Sequence, residues 1–260
     1  MAEKKKPTVT QAAGYDEAKA AALAGQAAMK GNATGLRVGA IVLWVVAIVF
    51  ELLAVLIVFG KLNITFLPTM WLLIILLVLD LACVIIGSQL WKKANHIKPA
   101  SEKNKFLFWL WNNMGVVVAC FAFVPIIIIM LTNKNLDKKT KTVATIAAIV
   151  ALLIGGAASI DYNPVSQEQQ EAAMSTLGAA DVYWTPYGKV YHTHVSLDEN
   201  GEVIEACPHL NHSDSLTMGT VEQAIAAGRT RICSWCASHD DISGLVTDGS
   251  DITGEAVEYE

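Results

Sequence analysis

Four long apolar runs decide what this chain can become. They cover residues 38–60, 67–90, 108–131 and 142–160, and each has 19 to 24 residues. At about 1.5 Å per residue, a helix of that length crosses the ~30 Å hydrocarbon layer of a bilayer. Lipid offers no partner to a backbone N–H or C=O, so such runs close their hydrogen bonds internally, as helices. Trp71, Trp91, Trp109 and Trp111 stand near run ends, where aromatic belts lie. The expected architecture over residues 37–160 is therefore an all-α transmembrane four-helix bundle with the lipid bilayer as its surroundings. Pro125, inside the third run, is predicted to kink it.

Charge divides the chain in two. Residues 1–160 carry 16 Lys and Arg against 7 Asp and Glu, whereas residues 161–260 carry 3 against 17. An acidic half is repelled by phosphate backbones, which excludes nucleic acid as a partner for it. The basic residues also orient the spans. The segment before the first run has six, the loop between the second and third has five, and the other two loops have one and four. Lys and Arg concentrate on the cytoplasmic side, which puts the N-terminus and the C-terminal domain in the cytoplasm of a multi-pass cell-membrane protein.

Within the runs, two patterns stand out. Ala147, Ala151, Gly155 and Ser159 recur every four residues. Small residues at this spacing let helices approach closely, either inside the bundle or as a homo-oligomer face. Glu51 and Asp80 lie deep in the first and second runs. Antiparallel neighbouring helices bring the two acids together, either as a clasp sharing a hydrogen bond or as the path of a small transporter or channel.

Outside the spans the reading is more local. Residues 1–36 are expected to be a polar tail, with a helix over 16–30 capped by Asp16; no apolar run follows the opening charges, so no signal peptide is expected. Residues 161–180 read as a linker helix, opened by the capping pair Ser166 and Gln169 and stopped by Gly178. Residues 182–184 and 189–192 flank the turn Thr185-Pro-Tyr-Gly188 as a hairpin, with the second strand continuing to Val195. A turn over 198–201 leads to a third strand at 202–205. Thr220 and Gln223 cap a helix over 221–227 that Gly228 ends. From residue 239 there is no basic residue and there are seven acids, so 239–260 is expected to be an acidic disordered tail.

The chemistry gathers in the segment 181–238. Of five cysteines, Cys83 and Cys120 fall in apolar runs, leaving Cys207 and the pair Cys233-Ser-Trp-Cys236. Three thiols suit a metal better than bridges, and a Cys-X-X-Cys turn chelates one. Zinc wants a fourth ligand, a histidine, and His192, His194, His209 and His212 are all near in sequence. His192 and His194, two apart on a strand, face the same side and compete.

Val182-Tyr-Trp-Thr-Pro-Tyr-Gly-Lys-Val-Tyr-His192, then Cys207-Pro-His-Leu, then Gly219-Thr-Val-Glu-Gln-Ala-Ile-Ala-Ala-Gly228-Arg-Thr-Arg-Ile-Cys233-Ser-Trp-Cys236 resembles the zinc-binding module of the bacterial alkylation-repair protein Ada and its relatives. The resemblance implies a small α+β zinc-binding domain with ligands His192, Cys207, Cys233 and Cys236, His194 and His209 being the alternatives for the fourth. In the repair protein the first ligand is a cysteine that accepts a methyl group. Here that position is His192, so the activity does not carry over. The family also keeps its first two ligands close, whereas 14 residues intervene here, and 196–205 must loop out as an extra hairpin. Three thiolates and an imidazole close the zinc shell, which implies a structural site rather than an enzyme: a module displayed at the membrane for a protein partner or for sensing.

Overall fold

The computed structural model describes residues 7–23, 32–62, 64–242 and 245. In chain order its elements are β1 (Thr8–Gln11), α1 (Tyr15–Leu23), α2 (Ala33–Val58), α3 (Thr69–Ile97), α4 (Lys105–Asn112), α5 (Met114–Thr132), α6 (Lys138–Ser159), α7 (Gln167–Leu177), β2 (Val182–Trp184), β3 (Val190–Tyr191), β4 (Val195–Leu197), β5 (Val203–Ala206), β6 (Ser215–Gly219), α8 (Val221–Ala226), β7 (Arg231–Ile232) and α9 (Ser234–His239). They divide into two compact units. One comprises residues 32–95 and 103–162; the other comprises 1–31, 96–102 and 163–260.

The first unit holds α2, most of α3, α4, α5 and α6. Among the described residues four helices, α2, α3, α5 and α6, are long and apolar enough to cross a membrane. Asn32 and Asp137 cap α2 and α6 by accepting from the backbone N–H of Gly35 and Thr140 at 2.7 and 2.9 Å. The core is built from small residues against large ones: Ala47 and Ala54 of α2, Ala119, Ala122, Phe123 and Ile126 of α5, and Ala144, Ala148 and Ala151 of α6. Only 28% to 33% of each apolar window is buried within the chain, and the outer faces carry Val45, Leu52, Ile75, Val78 and Leu153. Surface this apolar is stable against lipid and not against water.

The small-residue stripe points inward. A Cβ on Gly155 would lie 3.1 Å from Leu81 Cδ1, and Ser159 Oγ donates to Ser88 Oγ at 2.9 Å. These residues serve helix packing within the chain. The third run, read from sequence as one span over 108–131, is two helices. Asn113, at φ −107° and ψ 24°, leaves the helical region and joins α4 to α5. Asn112 and Asn113 turn their amides back onto the carbonyls of Phe108 and Trp109, both at 3.0 Å, competing with the backbone ladder. The shortened α5, with Pro125 inside it, still has 19 residues.

The second unit is a small α+β fold. Its three-stranded sheet has the order β1-β6-β2, with β1 parallel and β2 antiparallel to β6. Two-stranded pairs β3–β7, parallel, and β4–β5, antiparallel, complete it. Val165, Trp184, Tyr191, Leu210, Leu216, Val221, Ile225 and Ile232 form its core together with three cysteines. Both expected capping boxes are present, at Ser166–Gln169 and Thr220–Gln223, and Gly228 ends α8 at φ +86°. Residues 98–102 join this unit: Gln167 N–H donates to Ala100 O at 3.0 Å and Glu102 N–H to Glu168 Oε2 at 2.9 Å.

The N-terminal segment departs from the expected solvated tail. Thr8-Val-Thr-Gln11 pairs with Ser215–Gly219, and Tyr15 Oη and Lys19 Nζ both donate to Asp181 Oδ1, at 2.7 and 2.6 Å. Three consecutive β-branched residues at 8–10 were the signal for this strand. The helix expected over 16–30 runs from Tyr15 to Leu23, and its remainder lies outside the described residues. At the other end, α9 runs to His239, and Ile242 and Leu245 pack on the core, so the acidic tail does not begin at 239. The rest of it lies outside the described residues.

Candidate metal centre

Four local events bring the ligand atoms together. His192 follows β3, locked to Tyr183 of β2 by a pair of backbone hydrogen bonds at 2.8 and 2.7 Å. Cys207 follows β5 and opens a single 3₁₀ turn over Pro208–Leu210. Cys233 caps α9, its N–H donating to Tyr191 O at 2.8 Å, and Cys236 lies one turn on. His192, Cys207, Cys233 and Cys236 each offer one ligand atom, and these atoms lie within 4.8 Å of one another. All four residues are buried, none more than 4% exposed.

The spacing suits an ion. Cys207 Sγ and Cys233 Sγ are 3.9 Å apart, and Cys236 Sγ is 3.7 Å from His192 Nδ1. With metal–sulfur and metal–nitrogen bonds of about 2.3 and 2.05 Å, the edges of a tetrahedron are ~3.8 and ~3.6 Å. The electrostatics are those of crowded thiols. Cys233 is drawn down to about 3, first by the hydrogen bond from the Cys207 thiol, then by that from Cys236, with help from the backbone N–H groups of Cys236 and Trp235. Cys207, as donor to Cys233, is pushed far above the ordinary thiol range. Three thiolates cannot share this buried volume without a cation to balance them.

The other candidate histidines go elsewhere. The chain bends at Thr193 instead of continuing the strand to Val195, so His192 and His194 do not face one side. His194 turns toward Asp240 and His239. His209 is exposed and stands outside the group of four converging ligand atoms, with Nδ1 3.2 Å from Cys233 Sγ. The segment between His192 and Cys207 is the β4–β5 hairpin, turned by Asp198, whose carboxylate accepts from the N–H groups of Asn200 and Glu202. His239 and Asp240 escaped the sequence reading because they stand at the head of the acidic run; the three-residue step from Cys236 to His239 was the signal.

In the membrane unit, Asp80 is 1% exposed and neither carboxylate oxygen has a hydrogen-bond partner. The clasp expected between Glu51 and Asp80 is thus not a shared hydrogen bond; Glu51 is only half-buried. No protein-family model, curated protein or solved structure matches the chain.

Proposed function

We propose that this is a multi-pass membrane protein that carries a structural zinc module on its cytoplasmic side for recognition by a protein partner. The buried Cys3His cluster is the observation that carries the reading. Zinc favours three thiolates and an imidazole at tetrahedral spacing, and a shell shut off from solvent leaves no position for a substrate. The cysteines belong to the core of a small unit, so the ion would supply a large part of its folding energy. What such a module offers a partner is its surface, where Tyr187 and, on the β4–β5 hairpin, Ile204 are 97% and 64% exposed. The resemblance to the Ada zinc module supports the ligand set and says nothing for repair, because His192 occupies the nucleophile position.

The test uses the full chain in detergent micelles. One tightly held equivalent of zinc is expected, and chelation by EDTA should collapse the amide dispersion of residues 181–238 while the helical signal of the spans persists. A dispersion unchanged after zinc removal would refute the structural role.

A second reading, a small transporter or channel using Glu51 and Asp80, is favoured by one observation: the buried, unpaired carboxyl of Asp80. An acid at that depth is costly and commonly functional. If it carries ions or protons, Asp80→Asn abolishes flux into liposomes without loss of the folded protein. Absence of flux in the wild type removes this reading.

A further inference from the structure

Beside the buried cluster lies a second set of ligand atoms. His194, His239 and Asp240 each offer one, and these lie within 4.8 Å of one another. His194 Nδ1 and His239 Nδ1 each stand 3.6 Å from the same oxygen, Asp240 Oδ1. That exceeds the roughly 2.7–3.2 Å of an N–H···O hydrogen bond. It is close to the ~3.4 Å edge between nitrogen and oxygen ligands of a tetrahedral ion, each about 2.1 Å from the metal. Glu205 reaches the other side of the first ring, 3.6 Å from His194 Nε2.

The two clusters share two segments. His192 and His194 flank the bend at Thr193, whereas Cys233, Cys236, His239 and Asp240 follow one another along α9 and its ends, so the first segment sends one ligand to each cluster and the second sends two to each; Cys207 completes the buried one. Asp240 is held in place from two sides. Its N–H donates to Cys236 O at 2.8 Å, and its Oδ2 accepts from Thr193 Oγ1. The Trp235 ring lies against both imidazoles, with centroids 5.3 Å from His194 and 4.6 Å from His239. Access distinguishes the sites. The side chains of His194, Asp240 and His239 are 21%, 28% and 49% exposed, whereas the four buried ligands are shut from solvent.

We propose that His194, His239 and Asp240 form a second, solvent-accessible binding site for a divalent transition-metal ion of the borderline class that imidazole and carboxylate together select, such as Zn²⁺, Co²⁺ or Ni²⁺. Three protein ligands leave a coordination position to water, so the ion exchanges with the medium while the buried one stays. This site goes beyond the structural role proposed above and places an exchangeable metal on the surface of the same module.

The experiment titrates the full-length protein, purified with zinc in detergent micelles, with Co²⁺. Calorimetry should report one exchangeable equivalent, and the visible spectrum should show d–d bands without sulfur-to-cobalt charge transfer, since no thiolate is involved. The double variant His194→Ala with His239→Ala, and separately Asp240→Asn, should bind that equivalent at least tenfold more weakly while retaining the tightly held zinc. A wild type that takes up no second ion at millimolar Co²⁺ overturns the proposal. So do variants that bind it unchanged. Loss of the tightly held zinc is read independently by metal analysis, so failure of the buried site and failure of this one are distinguishable.

Discussion

At the scale of single residues, the division of labour among the histidines is the sharpest result. Only His192 reaches the three sulfurs from a buried position. His192→Ala is expected to lower zinc affinity by two orders of magnitude or more, because a buried shell that loses a ligand has no water to replace it. His209→Ala should cost no more than about tenfold, the scale of an outer hydrogen bond to a ligand. Competition with a chromophoric chelator measures both; equal losses would mean that His209 coordinates. The sign of the pH dependence follows from the ligands. Zinc requires the thiolates and the neutral imidazole, so protons compete with it and affinity falls as pH falls.

At the scale of elements, the N-terminal segment is attached through β1, through Gln223 Nε2 donating to Ala13 O, and through contacts of α1 that centre on Asp181. Tyr15 and Lys19 both converge on Asp181. The pair is partly exposed, and Asp181→Ala is expected to loosen α1 by about 1 kcal/mol. Deleting residues 1–13 removes β1 altogether and turns β6 into an edge strand. Hydrogen exchange at residues 215–219 should then accelerate, and unchanged protection there would show that β1 contributes nothing to the sheet. Tyr15 also sets an alkaline limit. Its phenol is raised to about 12, by burial first and then by the hydrogen bond to Asp181. A raised pKa means that the neutral form is preferred in the fold. Its contribution is therefore complete below the ordinary value near 10 and is lost as pH rises through about 12.

At the scale of the whole molecule, the composition of the second unit bears on topology. The N-terminal segment, the loop after the second span and the C-terminal domain belong to one compact unit. Segments that share a fold share a side of the membrane, and four crossings return the chain to the side it left. Both conditions are compatible with the cytoplasmic placement proposed above, which rests on the excess of basic residues on the N-terminal segment and the second loop. Leu62→Cys and Asn135→Cys should therefore be labelled by a membrane-impermeant maleimide in intact cells, and Ser175→Cys only after permeabilisation. The opposite pattern would invert the protein in the membrane.

Much of this was written locally. The capping boxes at Ser166 and Thr220, the stop at Gly228 and the Cys-X-X-Cys turn each depend on residues within a turn or two of one another, and each is found where the sequence put it; the apolar runs give four long helices, the third of them shortened to begin at Met114. Other features depend on distant partners. β1 pairs with a strand 207 residues away, Thr8 with Ser215, and nothing near Thr8 names Ser215. The interruption at Asn113 needs two amides to compete with a helix that apolarity alone would continue. The fates of His192 and His194 are decided by a bend at Thr193 and by Asp240, 47 residues further on. Hydrophobic length and capping are properties of a stretch of chain, so sequence determined the spans, the caps and the thiols. Ligand convergence is a property of packed space, so only the tertiary structure decided which histidine meets those thiols and which faces the solvent.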